Sequence, residues 1–193
     1  IDAILSATPY YNKPTQKGLH IHYKTIASAC PVPIILYNVP GRTSVNMNAE
    51  TTVKLAKDFE NIIAVKEASG NLDQIMQIIK NKPDDFIVLS GDDTYTLPYI
   101  SLGMEGVISV TANAFPKQFS DMVRAALNNN FAKARELHYS LLDLSNSLFL
   151  EGNPCGVKAA LEILDVSTKY VRLPLASVSR ETYEIIRENM KGV

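Results

Sequence analysis

Apolar residues gather in five short runs, residues 3–7, 34–37, 62–66, 86–90 and 106–110, each of which reads as a β-strand. Between them the apolar positions fall at helical spacing. Leu19, Tyr23 and Ile26 form one stripe, and Val53, Leu55 and Ala56 a second. Ile75, Ile78 and Ile79 form a third, opened by Asn71 as its N-cap. The connector over residues 94–102 is short and contains Pro98, which weakens its helical signal. Strand–helix alternation of this kind predicts a parallel sheet with right-handed crossovers. After Pro116 only helical patterns remain, over residues 118–127, 131–150, 157–164 and 180–190. Asn128-Asn-Asn130, Gly152-Asn-Pro154 and Pro174 separate them.

Five parallel strands fit two α/β architectures: a complete doubly wound domain, or part of a TIM (β/α)8 barrel. The chain opens on Ile1-Asp2-Ala3-Ile4-Leu5, already inside an apolar run, which favours a barrel that lacks its beginning. On that reading residues 1–116 are the C-terminal portion of the barrel. Residues 117–193 are then its last helix and a C-terminal helical region.

Composition narrows the function classes. The 193 residues are 46% hydrophobic and 20% charged, with a formal net charge of −1, and no basic run offers a nucleic-acid footprint. No apolar run approaches membrane-spanning length and no signal-peptide pattern stands out, so a cytoplasmic protein is expected. Cys30 and Cys155 lie far apart without metal-ligand spacing, and His20, His22 and His138 form no ligand pattern. No metal and no cofactor are expected.

The chemistry concentrates in Asn61-Ile-Ile-Ala-Val-Lys-Glu-Ala-Ser-Gly70. Period-two alternation puts Ala64, Lys66 and Ala68 on one face of the strand, with Ile63, Val65 and Glu67 on the other. Burial disfavours an ammonium ion, and a neutral amine is what attacks a carbonyl to form a Schiff base. The bland alternative is a strand-end lysine with a packed stem and a solvated head. Ligands of parallel α/β folds sit at the carboxyl ends of the strands. Read in order, those ends are Thr8-Pro-Tyr-Tyr-Asn12, Tyr37-Asn-Val-Pro-Gly-Arg-Thr43, Lys66-Glu-Ala-Ser-Gly-Asn71, Ser90-Gly-Asp-Asp93 and Ile108-Ser-Val-Thr-Ala-Asn113. Tyr37 closes an apolar run and is either a proton shuttle beside the amine or a core tyrosine. Arg42, in a Pro-Gly turn, is either a carboxylate clamp or a solvated loop arginine. Gly91 lets backbone approach a ligand or permits a turn. Asp92 and Asp93 make a weak cation site, and loop solubility or capping accounts for them better.

These ordered segments resemble the family of pyruvate-dependent class I aldolases that contains dihydrodipicolinate synthase and N-acetylneuraminate lyase. Tyr37-Asn-Val-Pro-Gly-Arg-Thr43 and Val65-Lys-Glu-Ala-Ser-Gly-Asn-Leu72 are similar to its signature. Pro9-Tyr-Tyr-Asn-Lys-Pro14, Leu89-Ser-Gly-Asp-Asp93 and Gly106-Val-Ile-Ser-Val-Thr-Ala-Asn113 follow the same family order. The resemblance implies the fourth to eighth strands of the barrel, with Lys66 as Schiff-base lysine and Tyr37 as proton donor and acceptor. It implies Tyr11 as a relay from a neighbouring subunit, Arg42 as ligand of the aldehyde's carboxylate, and Gly91 and Ile108 as pyruvate-pocket backbone. Tyr10 is implied near an allosteric lysine site. The implied reaction joins pyruvate to L-aspartate 4-semialdehyde in lysine and diaminopimelate biosynthesis, in a dimer of dimers.

Two departures stand out. The family's Gly-Thr-Thr-Gly-Glu motif is not in this sequence, and Thr51-Thr52 is no substitute because it opens a helix. Gly156, in Gly152-Asn-Pro-Cys-Gly-Val-Lys158, stands where the family often has proline. With barrel strands missing, these 193 residues alone are expected to be inactive or poorly folded. Two other readings compete: a sibling lyase such as N-acetylneuraminate lyase, and a non-catalytic doubly wound binding domain.

Overall fold

The computed structural model describes residues 1–193, which form two compact units. One comprises residues 1–92 and 101–108, the other residues 93–100 and 109–193.

The first unit is built on a five-stranded parallel sheet of β1 (Ile4–Ala7), β2 (Ile34–Asn38), β3 (Ile62–Glu67), β4 (Ile87–Ser90) and β5 (Gly106–Val107). The spatial order equals the chain order, β1-β2-β3-β4-β5. Right-handed crossovers that always step the same way place their helices on one face of the sheet. A doubly wound sheet must reverse direction at a switch point, and this one does not. The doubly wound alternative is therefore excluded.

The connecting helices are α1 (Gln16–Ala29), the single turn α2 (Pro40–Thr43), α3 (Ala49–Asp58) and α4 (Leu72–Asn81). Side-chain caps start three of them: Thr15 accepts from Gly18 N, Asn48 from Thr51 N and Asn71 from Gln74 N. Their buried faces carry Leu19 and Tyr23, Val53 and Leu55, and Ile75 and Ile78. Ala27 completes the first stripe where Ile26 was expected, and Thr51 and Thr52 are buried at the start of α3. The connector with Pro98 does form a helix, α5 (Thr96–Leu102). Its proline falls in the first turn, where no intrahelical N–H bond is lost.

The two faces of the sheet differ. Ile34, Leu36, Val65 and Val88 are fully buried on one. Register puts Leu5, Ile35, Ala64 and Ile87 in one row of the other face, and Ala7, Tyr37, Lys66 and Leu89 in the next. That face is apolar yet partly open, with Leu5 45% and Ile87 39% exposed.

The second unit holds α6 (Pro116–Leu127), α7 (Phe131–Ser147), α8 (Cys155–Ile163) and α9 (Arg180–Asn189). Phe119, Met122, Leu141, Leu144, Ala159 and Ile186 are among its buried side chains. The expected fifth strand over 106–110 is cut short at Val107, and a 3-10 turn spans Thr111–Asn113. The cause is Asp93, which is buried instead of serving loop solubility. Its carboxylate accepts from Val110 N at 3.0 Å, Thr111 N at 2.7 Å and Thr111 Oγ1 at 2.8 Å. It thereby caps the 3-10 turn and takes the N–H groups that a longer strand would have used. No helix of the structure is long and apolar enough to cross a membrane.

Candidate active site

Lys66 lies in the last turn of pleat of β3, in register with Tyr37 on β2 and Leu89 on β4. Its side chain is 9% exposed, flanked along its own strand face by the small residues Ala64 and Ala68. The amine Nζ sits 4.2 Å from the centroid of the Tyr37 ring. A cation at that distance is attracted by the ring face, which offsets part of the cost of burial.

Burial pushes the Tyr37 phenol above its usual value, and the Arg42 guanidinium holds part of that rise down. Tyr37 thus stays protonated through the neutral range, with a cation near enough to stabilise the phenolate. Arg42 itself is exposed, on the last turn of α2. Thr8 Oγ1 donates to Thr43 Oγ1 at 3.1 Å, tying the end of β1 to that turn.

Gly91 is there for space. A Cβ at this position would lie 2.7 Å from Ala68 Cβ and 3.2 Å from both Lys66 Cε and Glu67 O. Its N–H donates to Glu67 O at 2.8 Å, while Ile108 N donates to Ser90 O at 3.0 Å. These bonds carry the ladder past the last residues of β4 and β5, so Gly91 and Ile108 are fixed at the strand ends.

Lys66, Tyr37 and Gly91 are brought together, and Arg42 acts on Tyr37 electrostatically. Tyr10 and Tyr11 are not brought to them. They are 74% and 85% exposed, and Tyr11 adopts a left-handed φ of 63°. As expected from alternation, Glu67 is directed away from the amine. Unforeseen was what it meets on its own face. Asn38 Nδ2 donates to both its oxygens, at 3.1 and 3.0 Å, Ser69 N donates at 2.7 Å and Gln74 Nε2 at 3.2 Å. Burial raises the Glu67 carboxyl above the usual carboxylate range, against the pull of those donors. The available signal was two polar residues, Asn38 and Glu67, ending otherwise apolar strands.

The fold and site define a singly wound parallel α/β protein with an amine and a phenol at adjacent strand ends. The comparisons with known proteins give this class a family. The Dihydrodipicolinate synthetase family matches residues 1–192, and the chain belongs to it. A 4-hydroxy-tetrahydrodipicolinate synthase of Phocaeicola vulgatus is 55% identical over 187 residues, covering 97% of this chain and 63% of the relative. The crystal structure of dihydrodipicolinate synthase from Aquifex aeolicus superposes with a TM-score of 0.96 at 48% identity, covering 98% of this chain and 65% of that one. A dihydrodipicolinate synthase from Acinetobacter baumannii, solved in complex with pyruvate, gives a TM-score of 0.94 at 41% identity, with 99% and 65% covered. The chain therefore spans about two thirds of the length of these relatives, 63% to 65%.

Proposed function

We propose that the protein condenses pyruvate, held as a Schiff base on Lys66, with L-aspartate 4-semialdehyde to give 4-hydroxy-tetrahydrodipicolinate. The observation that carries this reading is the buried Lys66 amine over the Tyr37 ring at the strand ends. The names of its relatives and the pyruvate complex of the Acinetobacter baumannii enzyme support it.

The Lys66 amine attacks the keto carbon of pyruvate, and the carbinolamine leaves as imine and water. Tyr37, held protonated by burial, gives the departing hydroxyl its proton. The phenolate, stabilised by Arg42, then removes a proton from the pyruvyl methyl group, and the enamine adds to the aldehyde carbon. The new oxyanion takes a proton back from Tyr37. Attack of the substrate amine on the imine carbon closes the ring and releases Lys66.

Arg42 clamps the aldehyde's carboxylate, and Gly91 and Ile108 present backbone to pyruvate. Tyr11, extended into solvent, completes the relay in a neighbouring subunit, and Tyr10 lines the allosteric lysine site. The Tyr11 role requires at least a dimer, read here as a dimer of dimers, working in cytoplasmic lysine and diaminopimelate biosynthesis. The sheet is read as the fourth to eighth strands of a (β/α)8 barrel. Its sequential order and its apolar, partly open Lys66 face support that reading.

Assaying a complete version of the protein, with every strand of the barrel, for condensation of pyruvate with aspartate semialdehyde and for cleavage of N-acetylneuraminate tests the reaction. Condensation alone is expected, and cleavage without condensation would assign the sibling lyase instead. A second expectation concerns Gly91→Ala. Its Cβ must displace Ala68 or the Lys66 stem, so kcat falls by about 10²-fold through misplacement of the amine. Steady-state kinetics check it, with wild-type turnover as the contrary result.

A further inference from the structure

We infer that Glu67 is a positioning residue, whose buried carboxylate ties the strand ends bearing Tyr37 and Lys66 to both ends of the turn bearing Arg42. The inference rests on the reading of those three residues given above.

Glu67 follows Lys66 on β3, and its register partner Asn38 follows Tyr37 on β2. Each of the two site residues is thus one peptide unit from a group in the same hydrogen-bonded cluster. Asn38 Nδ2 donates to both Glu67 oxygens, while its Oδ1 accepts from Met47 N at 3.0 Å. Asn38 Nδ2 also reaches Asn46 Oδ1 at 2.9 Å, and Asn46 Nδ2 donates to Gln74 Oε1 at 2.8 Å. Gln74 Nε2 closes the circuit, donating to Glu67 Oε2 and Met47 O, each at 3.2 Å. Arg42 lies between Asn38 and Asn46, so the chain that carries it is held on both sides by this cluster. Gln16 extends the hold, donating to Asn46 O at 2.8 Å and accepting from Asn48 N at 3.1 Å.

The chemistry of the cluster requires an acceptor-only group at its centre. Donors approach both Glu67 oxygens: Ser69 N and Asn38 Nδ2 on one, Gln74 Nε2 and Asn38 Nδ2 on the other. An ionised carboxylate accepts all of them, whereas either orientation of a carboxamide sets N–H against N–H. These donors are all neutral, and Glu67 is completely buried. A buried anion held only by neutral donors is a costly way to fill space, and its return here is a fixed strand-end geometry.

Glu67→Gln, assayed in a complete version of the protein with every strand of the barrel, separates positioning from structure. Wild-type protein and the variant are treated with pyruvate and borohydride, and both are assayed at steady state with pyruvate and aspartate semialdehyde. The variant is expected to trap pyruvate at Lys66 and to keep its pyruvate KM within about threefold, because the amine lies on the other face. Its aldehyde KM should rise about tenfold as Arg42 loosens, and kcat should fall about 10- to 100-fold. A residue that only stabilised the fold would lower the active fraction, scaling kcat and leaving both KM values unchanged. That pattern, or kinetics within twofold of wild type, overturns the inference. If Glu67→Gln does not fold, Gln74→Met, which removes one donor to Glu67 and the acceptor of Asn46 Nδ2, takes its place. It should raise the aldehyde KM alone, and an unchanged value overturns the inference. A complete wild-type protein that traps no pyruvate would sink the Lys66 reading itself, a result distinct from trapping with an insensitive Glu67.

Discussion

Lys66→Met in a complete version of the protein is expected to lower condensation of pyruvate with aspartate semialdehyde by at least about 10³-fold, because it removes the nucleophile rather than a binding contact. The fold should survive. The position is 9% exposed among Ala64, Ala68 and Leu89, an environment that accepts an unbranched apolar chain of similar length. Lys66→Arg sharpens the result. It keeps the positive charge over the Tyr37 ring, yet guanidinium stays protonated at neutral pH and cannot attack a carbonyl. Both variants should therefore be equally inactive. Substantial activity in the arginine variant would mean that position 66 supplies only charge.

The largest effect on stability is expected at Gly156, far from that chemistry in sequence. A Cβ added there would sit 2.1 Å from Leu148 O and 2.6 Å from Leu148 C. Backbone atoms cannot swing aside as a side-chain tip does, so α8 or the end of the preceding helix must shift. Gly156→Ala should cost about 3 kcal/mol or more, as severe overpacking does. For a chain of this size that is a fall in Tm of roughly 10 °C. Thermal unfolding checks it, and a loss below about 1 kcal/mol would show that the segment relaxes. Proline also carries a Cβ, so the close approach of Leu148 excludes it here as well.

Alternation along β3 and helical spacing in α1, α3 and α4 reflect one-sided burial, which leaves a periodic trace in the residues themselves. Lys66 and Tyr37 were legible for that reason: each interrupts an apolar run at its carboxyl end. The Glu67 cluster was not, because its bonds join Asn38 to a residue 29 positions away and Asn46 to one 28 positions away. Position in the strand gave the direction of Glu67 but not its partners. The end of β5 was misplaced because side-chain capping by Asp93 overrode the strand propensity of Val110. The space around Gly91 and Gly156 was hidden for a related cause: a missing Cβ acquires meaning only when its neighbours are in place.

Treating a complete version of the protein with pyruvate and borohydride, then locating the modified peptide by mass spectrometry, is the most direct measurement of the proposed Schiff base. Reduction of the imine should leave a single N-carboxyethyl group on Lys66, abolished by Lys66→Met. A stable adduct on another lysine, or none with pyruvate in excess, would contradict the assignment of Lys66 as the reacting amine.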